Sequence, residues 1–262
     1  MPVKELASVD GRISPTVDAT IPLPDDGLYR GDGVFEVIRL YAGRPFALGD
    51  HLDRLGRSAA AIELPLERAP IEREIDALLE EFGSADAQLR IVITRGGRRI
   101  LLTEQMPPMG ATVRLATVTY SPSVILTGVK SLSYGANMQA TRIAQARGAD
   151  EALLVRPDGV VLEAPTSTIF WCSQDGGLCT PSIGSGILES ITRAQIVRAL
   201  EVEEGELRLD DLLPAPEAFL ASTVREVQPV SAIDGEELDA PGPRTLEAEE
   251  AFRRSVEQAL AT

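Results

Sequence analysis

Of the 25 basic residues in this 262-residue chain, only Lys4 and Lys130 are lysines. Arginine keeps its charge at any accessible pH, whereas a desolvated lysine can lose a proton and attack a carbonyl carbon, so Schiff-base chemistry has two candidates. Lys4 falls in a terminal segment expected to be loose. Lys130 lies mid-chain in Gly-Val-Lys130-Ser-Leu-Ser-Tyr134, just ahead of a helical pattern. A lysine that holds an aldehyde cofactor such as pyridoxal phosphate needs a carboxylate for the pyridine nitrogen, a site for the phosphate dianion and anchors for a substrate carboxylate. Glu163 suits the first need: it ends Val160-Val-Leu-Glu163, where a carboxylate among apolar neighbours is costly unless paired with a cation. The competing reading is a solvated edge-strand glutamate. For the phosphate, Ser190-Ile191-Thr192-Arg193 opens a helix directly after the glycine-punctuated loop 181–187, and a helix start offers N–H groups and the positive end of a dipole. A plain Ser/Thr cap would look the same. Ser222-Thr223 could add donors, and Arg54, in His51-Leu-Asp-Arg54, could add charge.

Composition narrows the surroundings of this chemistry. Net charge is −15, which repels nucleic acid and anionic membrane surfaces, so any anionic ligand must be met by local arginines or helix ends. His51 is the sole histidine and reads as a structural residue near a helix start; with it alone, most His-based triads and metal sites are excluded, and no metal is expected. Cys172 and Cys179 are the only cysteines and read as reduced core thiols. No apolar run reaches the roughly 20 residues of a membrane span. Met-Pro-Val-Lys-Glu at the start lacks the apolar region of a signal peptide, so a cytoplasmic location is expected.

The elements that must position these residues follow from periodicity. Strand patterns cover 34–41, 88–94 and 112–120, and helix patterns cover 51–62 and 71–82, an α/β signature. Arg95-Gly-Gly-Arg98-Arg99 is a turn and Met106-Pro-Pro-Met-Gly a loop. Beyond a connection at 121–128, helices are expected over 134–147, 191–200 and 246–261. A hairpin is expected around Pro157-Asp-Gly159, with short strands over 168–171, 178–180 and 219–222. The expected division is an N-terminal α/β domain over 1–120 and a second domain over 129–262.

Read in order, Arg30-Gly-Asp-Gly-Val-Phe35-Glu-Val-Ile-Arg39, His51-Leu-Asp-Arg54-Leu, Lys130-Ser-Leu-Ser-Tyr134, Gly148-Ala-Asp-Glu-Ala-Leu-Leu, Glu163-Ala-Pro-Thr-Ser-Thr-Ile-Phe170, Gly186-Ile-Leu-Glu-Ser-Ile-Thr192-Arg193 and Ser222-Thr223-Val-Arg-Glu226 resemble the class IV, fold-type IV, pyridoxal-phosphate aminotransferases over nearly the whole chain. The resemblance implies a two-domain fold, a smaller α/β domain followed by a larger pseudo-barrel domain that binds the cofactor. It implies Lys130 as the Schiff-base lysine and proton carrier, Glu163 as partner of the pyridine nitrogen, and Arg54, Ile191, Thr192 and Thr223 as phosphate contacts. Tyr134 matches an aromatic near the cofactor in some members. Thr168 and Ser190 stand where many members have Asn and Gly. A homodimer is implied as well, because a loop of the neighbouring subunit completes each site in the family.

The expected reaction is amino transfer between an amino acid and a 2-keto acid. Arg30 stands where branched-chain enzymes have Tyr, and Val37 where they tend to have Gly, which argues against a branched-chain L-amino-acid aminotransferase. The stretch 31–39 looks more like the D-amino-acid transaminases, although their Arg-x-His pair is absent. Phe35 and Val37 would then line the substrate pocket, with Arg30 and Arg90 as a carboxylate clamp and Arg95, Arg98 and Arg99 in reserve; all five arginines also read as ordinary surface charge. First choice is therefore a D-amino-acid transaminase with some tolerance for (R)-amines. The alternative is 4-amino-4-deoxychorismate lyase, which the Lys130-Ser-Leu-Ser-Tyr134 motif and the chain size also resemble.

Overall fold

A computed structural model describes residues 3–261. Packing divides the chain into two compact units, one running to Pro108 and adding Val129–Tyr134, the other comprising Met109–Gly128 and everything from Gly135 on. The units part company with the expected 1–120 and 129–262 division at two segments, and strand pairing explains both. Residues 113–119 pair with strands of the second unit, while Ser131 bridges to Val34 and the Leu132 N–H donates to the Gly33 carbonyl at 2.9 Å, which ties Lys130 to the first unit's sheet.

The first unit consists of β1 (Leu6–Val9), β2 (Arg12–Pro15), α1 (Asp26–Arg30), β3 (Gly33–Tyr41), β4 (Arg44–Pro45), α2 (Leu48–Ala61), α3 (Arg68–Phe82), β5 (Ala87–Thr94) and β6 (Arg99–Glu104). Its strands form one antiparallel sheet in the order β2-β1-β6-β5-β3-β4. Alternation along β3 sends Val34, Ile38 and Leu40 to the same side as Leu89, Ile91 and Ile93 of β5. There they pack with Leu52 and Leu55 of α2 and Ile71, Ile75 and Leu78 of α3 as one apolar core. Phe35, Val37 and Arg39 consequently lie on the opposite face.

The β1–β2 hairpin turns at Asp10-Gly11, both in the left-handed region, a pairing that supplies the backbone of a tight hairpin. It also overturns the expectation of a loose N-terminal segment: Lys4 Nζ donates to Glu81 Oε1 at 3.1 Å, and its carbonyl accepts from Thr103 Oγ1 at 3.2 Å.

The second unit holds β7 (Val113–Thr119), α4 (Gly135–Ala146), β8 (Glu151–Val155), β9 (Thr168–Cys172), β10 (Leu178–Pro181), α5 (Ile191–Ala199), β11 (Val202–Gly205), α6 (Leu209–Leu212), β12 (Ala218–Ser222), β13 (Glu226–Ile233), β14 (Glu236–Glu237) and α7 (Pro243–Ala261). Seven of these strands run β11-β10-β9-β12-β13-β7-β8, with β14 added on β13, in a mixed sheet that forms a half-barrel. One face of that sheet buries Leu115, Leu153, Ile169, Trp171, Leu220 and Val230. On the other face α4 packs against β7 and β8, and α5 lies against β12 and α7. The expected hairpin around Pro157-Asp-Gly159 is present, closed by Arg156 N–H to the Val160 carbonyl at 2.8 Å. Cys172 and Cys179 are buried and free, and burial pushes both thiols up. The chain is thus a mixed α/β molecule with two sheets, as expected.

Candidate active site

In the first unit, Lys130 is held by its own backbone. Its N–H donates to Ser58 Oγ on α2 at 3.1 Å, and its carbonyl accepts from the Phe35 N–H on β3 at 3.0 Å. The side chain crosses the face of the sheet opposite the core, with Nζ 4.4 Å from the centre of the Phe35 ring. Tyr134 also packs on Phe35, the two rings perpendicular with their centres 5.4 Å apart. Val37 follows two residues along β3 on the same face, directly opposite Arg90 of β5. Lys130, Phe35, Tyr134, Val37 and Arg90 are therefore gathered on one sheet surface.

The candidate arginines have separate fates. Arg90 Nε donates to Glu104 Oε2 at 2.8 Å, next door on β6. Arg30 closes the last turn of α1, with its side chain 77% exposed and 3.5 Å from Asp26. The three reserve arginines are committed to structural pairs: Arg95 to Asp32 and the carbonyls of Ile62 and Glu63, Arg98 to Asp10, and Arg99 to Glu74.

Arg54 is buried in a cluster that the sequence reading missed. Its Nε and Nη2 donate to Glu36 Oε1 and Oε2, both at 2.7 Å, while His51 Nδ1 lies 2.8 Å from Glu36 Oε2. Burial by itself raises the Glu36 carboxyl, but the hydrogen bonds and charges of Arg54 and His51 win and hold it at about 2. Burial depresses His51 against the opposing pull of Glu36, so the ring is neutral at physiological pH. A carboxylate accepts only, and so the neutral ring carries its proton on Nδ1. The sequence signal was there to find: Glu36 interrupts the inward-facing series Val34, Ile38, Leu40, and His51 and Arg54 share a helix face at a spacing of three.

In the second unit, the 156–160 turn returns the chain so that Glu163 lies beside β8, its carbonyl accepting from the Leu154 N–H at 2.9 Å and its Oε1 from the Leu188 N–H at 3.2 Å. Ser190 caps α5, its hydroxyl accepting from the Arg193 N–H at 3.2 Å. Ile191 and Thr192, both buried, supply first-turn N–H groups that precede the helix's own ladder. Because α5 packs on β12, whose last residue precedes Thr223, the phosphate candidates Ile191, Thr192 and Thr223 sit on neighbouring elements. A second overlooked cluster lies here: Glu151, 4% exposed, accepts from Arg225 and from Thr166 Oγ1, and Arg225 also donates to Gln228. Burial pushes the Glu151 carboxyl up even with the Arg225 guanidinium beside it.

Residues 33–233 match the sequence model of the amino-transferase class IV family. The chain belongs to the class IV aminotransferases. It is 31% identical over 272 residues to a D-alanine aminotransferase from Bacillus licheniformis, covering 94% of this chain and 95% of that one. It is 30% identical over 257 residues to an aminodeoxychorismate lyase from Bacillus subtilis, covering 86% of each. The solved branched-chain aminotransferase from Thermoproteus uzoniensis, with norvaline, superimposes with a TM-score of 0.86 at 29% identity, covering 98% and 97% of the two chains. Class IV aminotransferases use pyridoxal phosphate, and the groups present suit it chemically: a primary amine at Lys130, a buried guanidinium at Arg54, a helix start at Ile191-Thr192 and an oriented carboxylate at Glu163. Among the described residues, no helix is long and apolar enough to cross a membrane and no group of three or more His, Cys, Asp or Glu is placed to hold a metal ion.

Proposed function

We propose that this class IV enzyme is a D-amino-acid transaminase, with some tolerance for (R)-amines, and that Lys130 is its reactive lysine. The carrying observation is the placement of the Lys130 amine over Phe35 on the sheet face that also bears Val37 and Arg90. Bound pyridoxal phosphate supplies an electrophilic aldehyde carbon and a ring that accepts the electron pair left when a substrate loses its α-proton. Lys130 Nζ would hold that carbon through its amine and, with a substrate bound, would carry the proton from the α-carbon. Glu163 would hold the pyridine nitrogen protonated. Arg54, Thr192, Thr223 and the Ile191 N–H would bind the phosphate, and Tyr134 would stand near the cofactor. Phe35 and Val37 line the substrate side, and Arg30 or Arg90 anchors the carboxylate, Arg90 by exchanging Glu104 for the incoming anion.

The working form in this proposal is a cytoplasmic homodimer acting on amino and keto acids. Borohydride reduction and peptide mapping test the lysine, which should be trapped as a pyridoxyl adduct at Lys130; an adduct at Lys4, or none, refutes the assignment. A panel of D-amino acids, L-amino acids and aminodeoxychorismate tests the reaction. Pyruvate release from aminodeoxychorismate without turnover of any D-amino acid would make the enzyme a lyase, a reading favoured by the similarity to the Bacillus subtilis lyase.

A further inference from the structure

Glu36 is fully buried on the core-facing side of β3, between Val34 and Ile38, a position where alternation calls for an apolar residue. Fold stability does not demand a carboxylate there, because a buried ion pair replaced by apolar side chains of similar volume is often neutral or stabilising. What the carboxylate does is geometric. Its two oxygens engage the Nε–Nη2 edge of Arg54 side-on, which sets the plane of the guanidinium, and His51 Nδ1, one helical turn earlier, sits 2.8 Å from one of those oxygens and keeps the carboxylate from rotating. Ser58, one turn beyond Arg54 on the same face of α2, accepts the Lys130 N–H, so Arg54 and the Lys130 backbone are fixed by the same stretch of helix.

We propose that Glu36 and His51 are positioning residues that hold Arg54 preformed for the cofactor's phosphate, so that the long side chain is ordered before the anion arrives and not at its expense. The inference rests on Arg54 being a phosphate contact. It makes a prediction opposite in sign to simple charge counting. Neutralising Glu36 leaves more positive charge around Arg54 and by Coulomb's law alone would tighten anion binding. Loss of positioning loosens it.

The test compares pyridoxal phosphate with pyridoxal, which lacks the phosphate, on the full chain freed of cofactor, together with melting temperatures. Glu36→Gln is expected to raise the dissociation constant for pyridoxal phosphate about tenfold or more while leaving that for pyridoxal within about twofold. His51→Asn, whose amide nitrogen can replace Nδ1, should bind both as the parent chain does, and His51→Leu should lose phosphate discrimination in part. Arg54→Met separates the two layers of the argument. If it leaves discrimination intact, Arg54 does not meet the phosphate and the proposal falls with that reading. If Arg54→Met loses discrimination while Glu36→Gln keeps it, or binds pyridoxal phosphate more tightly, the positioning role alone is overturned. Should Glu36→Gln fail to fold, the His51 pair decides: equal affinities for Asn and Leu refute the proposal, and recovery by Asn supports it.

Discussion

Lys130 and Glu36 show how differently two candidate side chains are written into a chain. Lysine scarcity singles out Lys130, and its neighbours suffice to suggest what it does; Lys130→Ala should lose transaminase turnover and the near-visible absorbance of bound cofactor, both read in one spectrophotometric assay. Glu163→Gln should keep cofactor but lose most of its half-reaction rate, because a neutral amide cannot hold the pyridine nitrogen protonated; a rate within about threefold of the parent, well under 1.4 kcal/mol, would remove that role. The Glu36 cluster carries a separate pH signature. A carboxyl lowered from 4.5 to about 2 on folding contributes stability that is fully present above 4.5 and lost as pH falls through about 2. Its ceiling is on the order of 3 kcal/mol. His51 acts with the same sign: its folded value lies below 6.5, so the unfolded chain binds protons first as pH drops. Urea midpoints measured from pH 7 downward should therefore fall, and fall less in Glu36→Gln.

At the scale of elements, the segment 129–134 has no regular structure of its own, yet it sets where Lys130 sits. It is held by an edge-to-edge bridge with the start of β3, and Gly33 makes that approach possible. A Cβ at Gly33 would lie 2.4 Å from the Ile93 carbonyl oxygen and 2.7 Å from Leu132 Cδ1. The first of these contacts is with backbone, so it is not relieved by a side-chain rotation. Gly33→Ala is expected to displace Leu132 and with it Lys130. Stability should drop by about 1–3 kcal/mol, the usual penalty of overpacking, and cofactor affinity should fall with it. Urea denaturation and cofactor titration check the two effects, and unchanged values for both would mean that the β3–Lys130 bridge is not what fixes the lysine. The strands and helices with strong periodicity, such as β3, β5, α2 and α3, were legible in sequence. The β1–β2 hairpin, β6 and β13 were not, because the apolar alternation is short or bounded by charge in the first three strands and broken by Gln228 and Pro229 in β13, and pairing with neighbouring strands is what stabilises them.

For the whole molecule, the most exposed large apolar side chains among the described residues, Val17, Leu23 and Tyr29 in the first unit and Val124 and Ile125 in the second, leave apolar surface open to solvent. Such surfaces are commonly covered by a partner. Light scattering should return a dimer, and Tyr29→Asp combined with Leu23→Asp should shift it toward monomer; a monomeric parent chain with full activity would refute the dimer. By itself the sequence determined the family, the cofactor and the alternation of elements, and it singled out Lys130 as the candidate lysine, since each depends on residue type, order or local spacing. Only the tertiary structure decided that Lys130 packs with the first sheet, that Arg54 is locked to Glu36 and His51, and that Arg90 meets Glu104 while Arg30 points to solvent. Those outcomes depend on which strand edge and which helix face come together across tens of residues, and a guanidinium gives no local sign of the carboxylate it will meet.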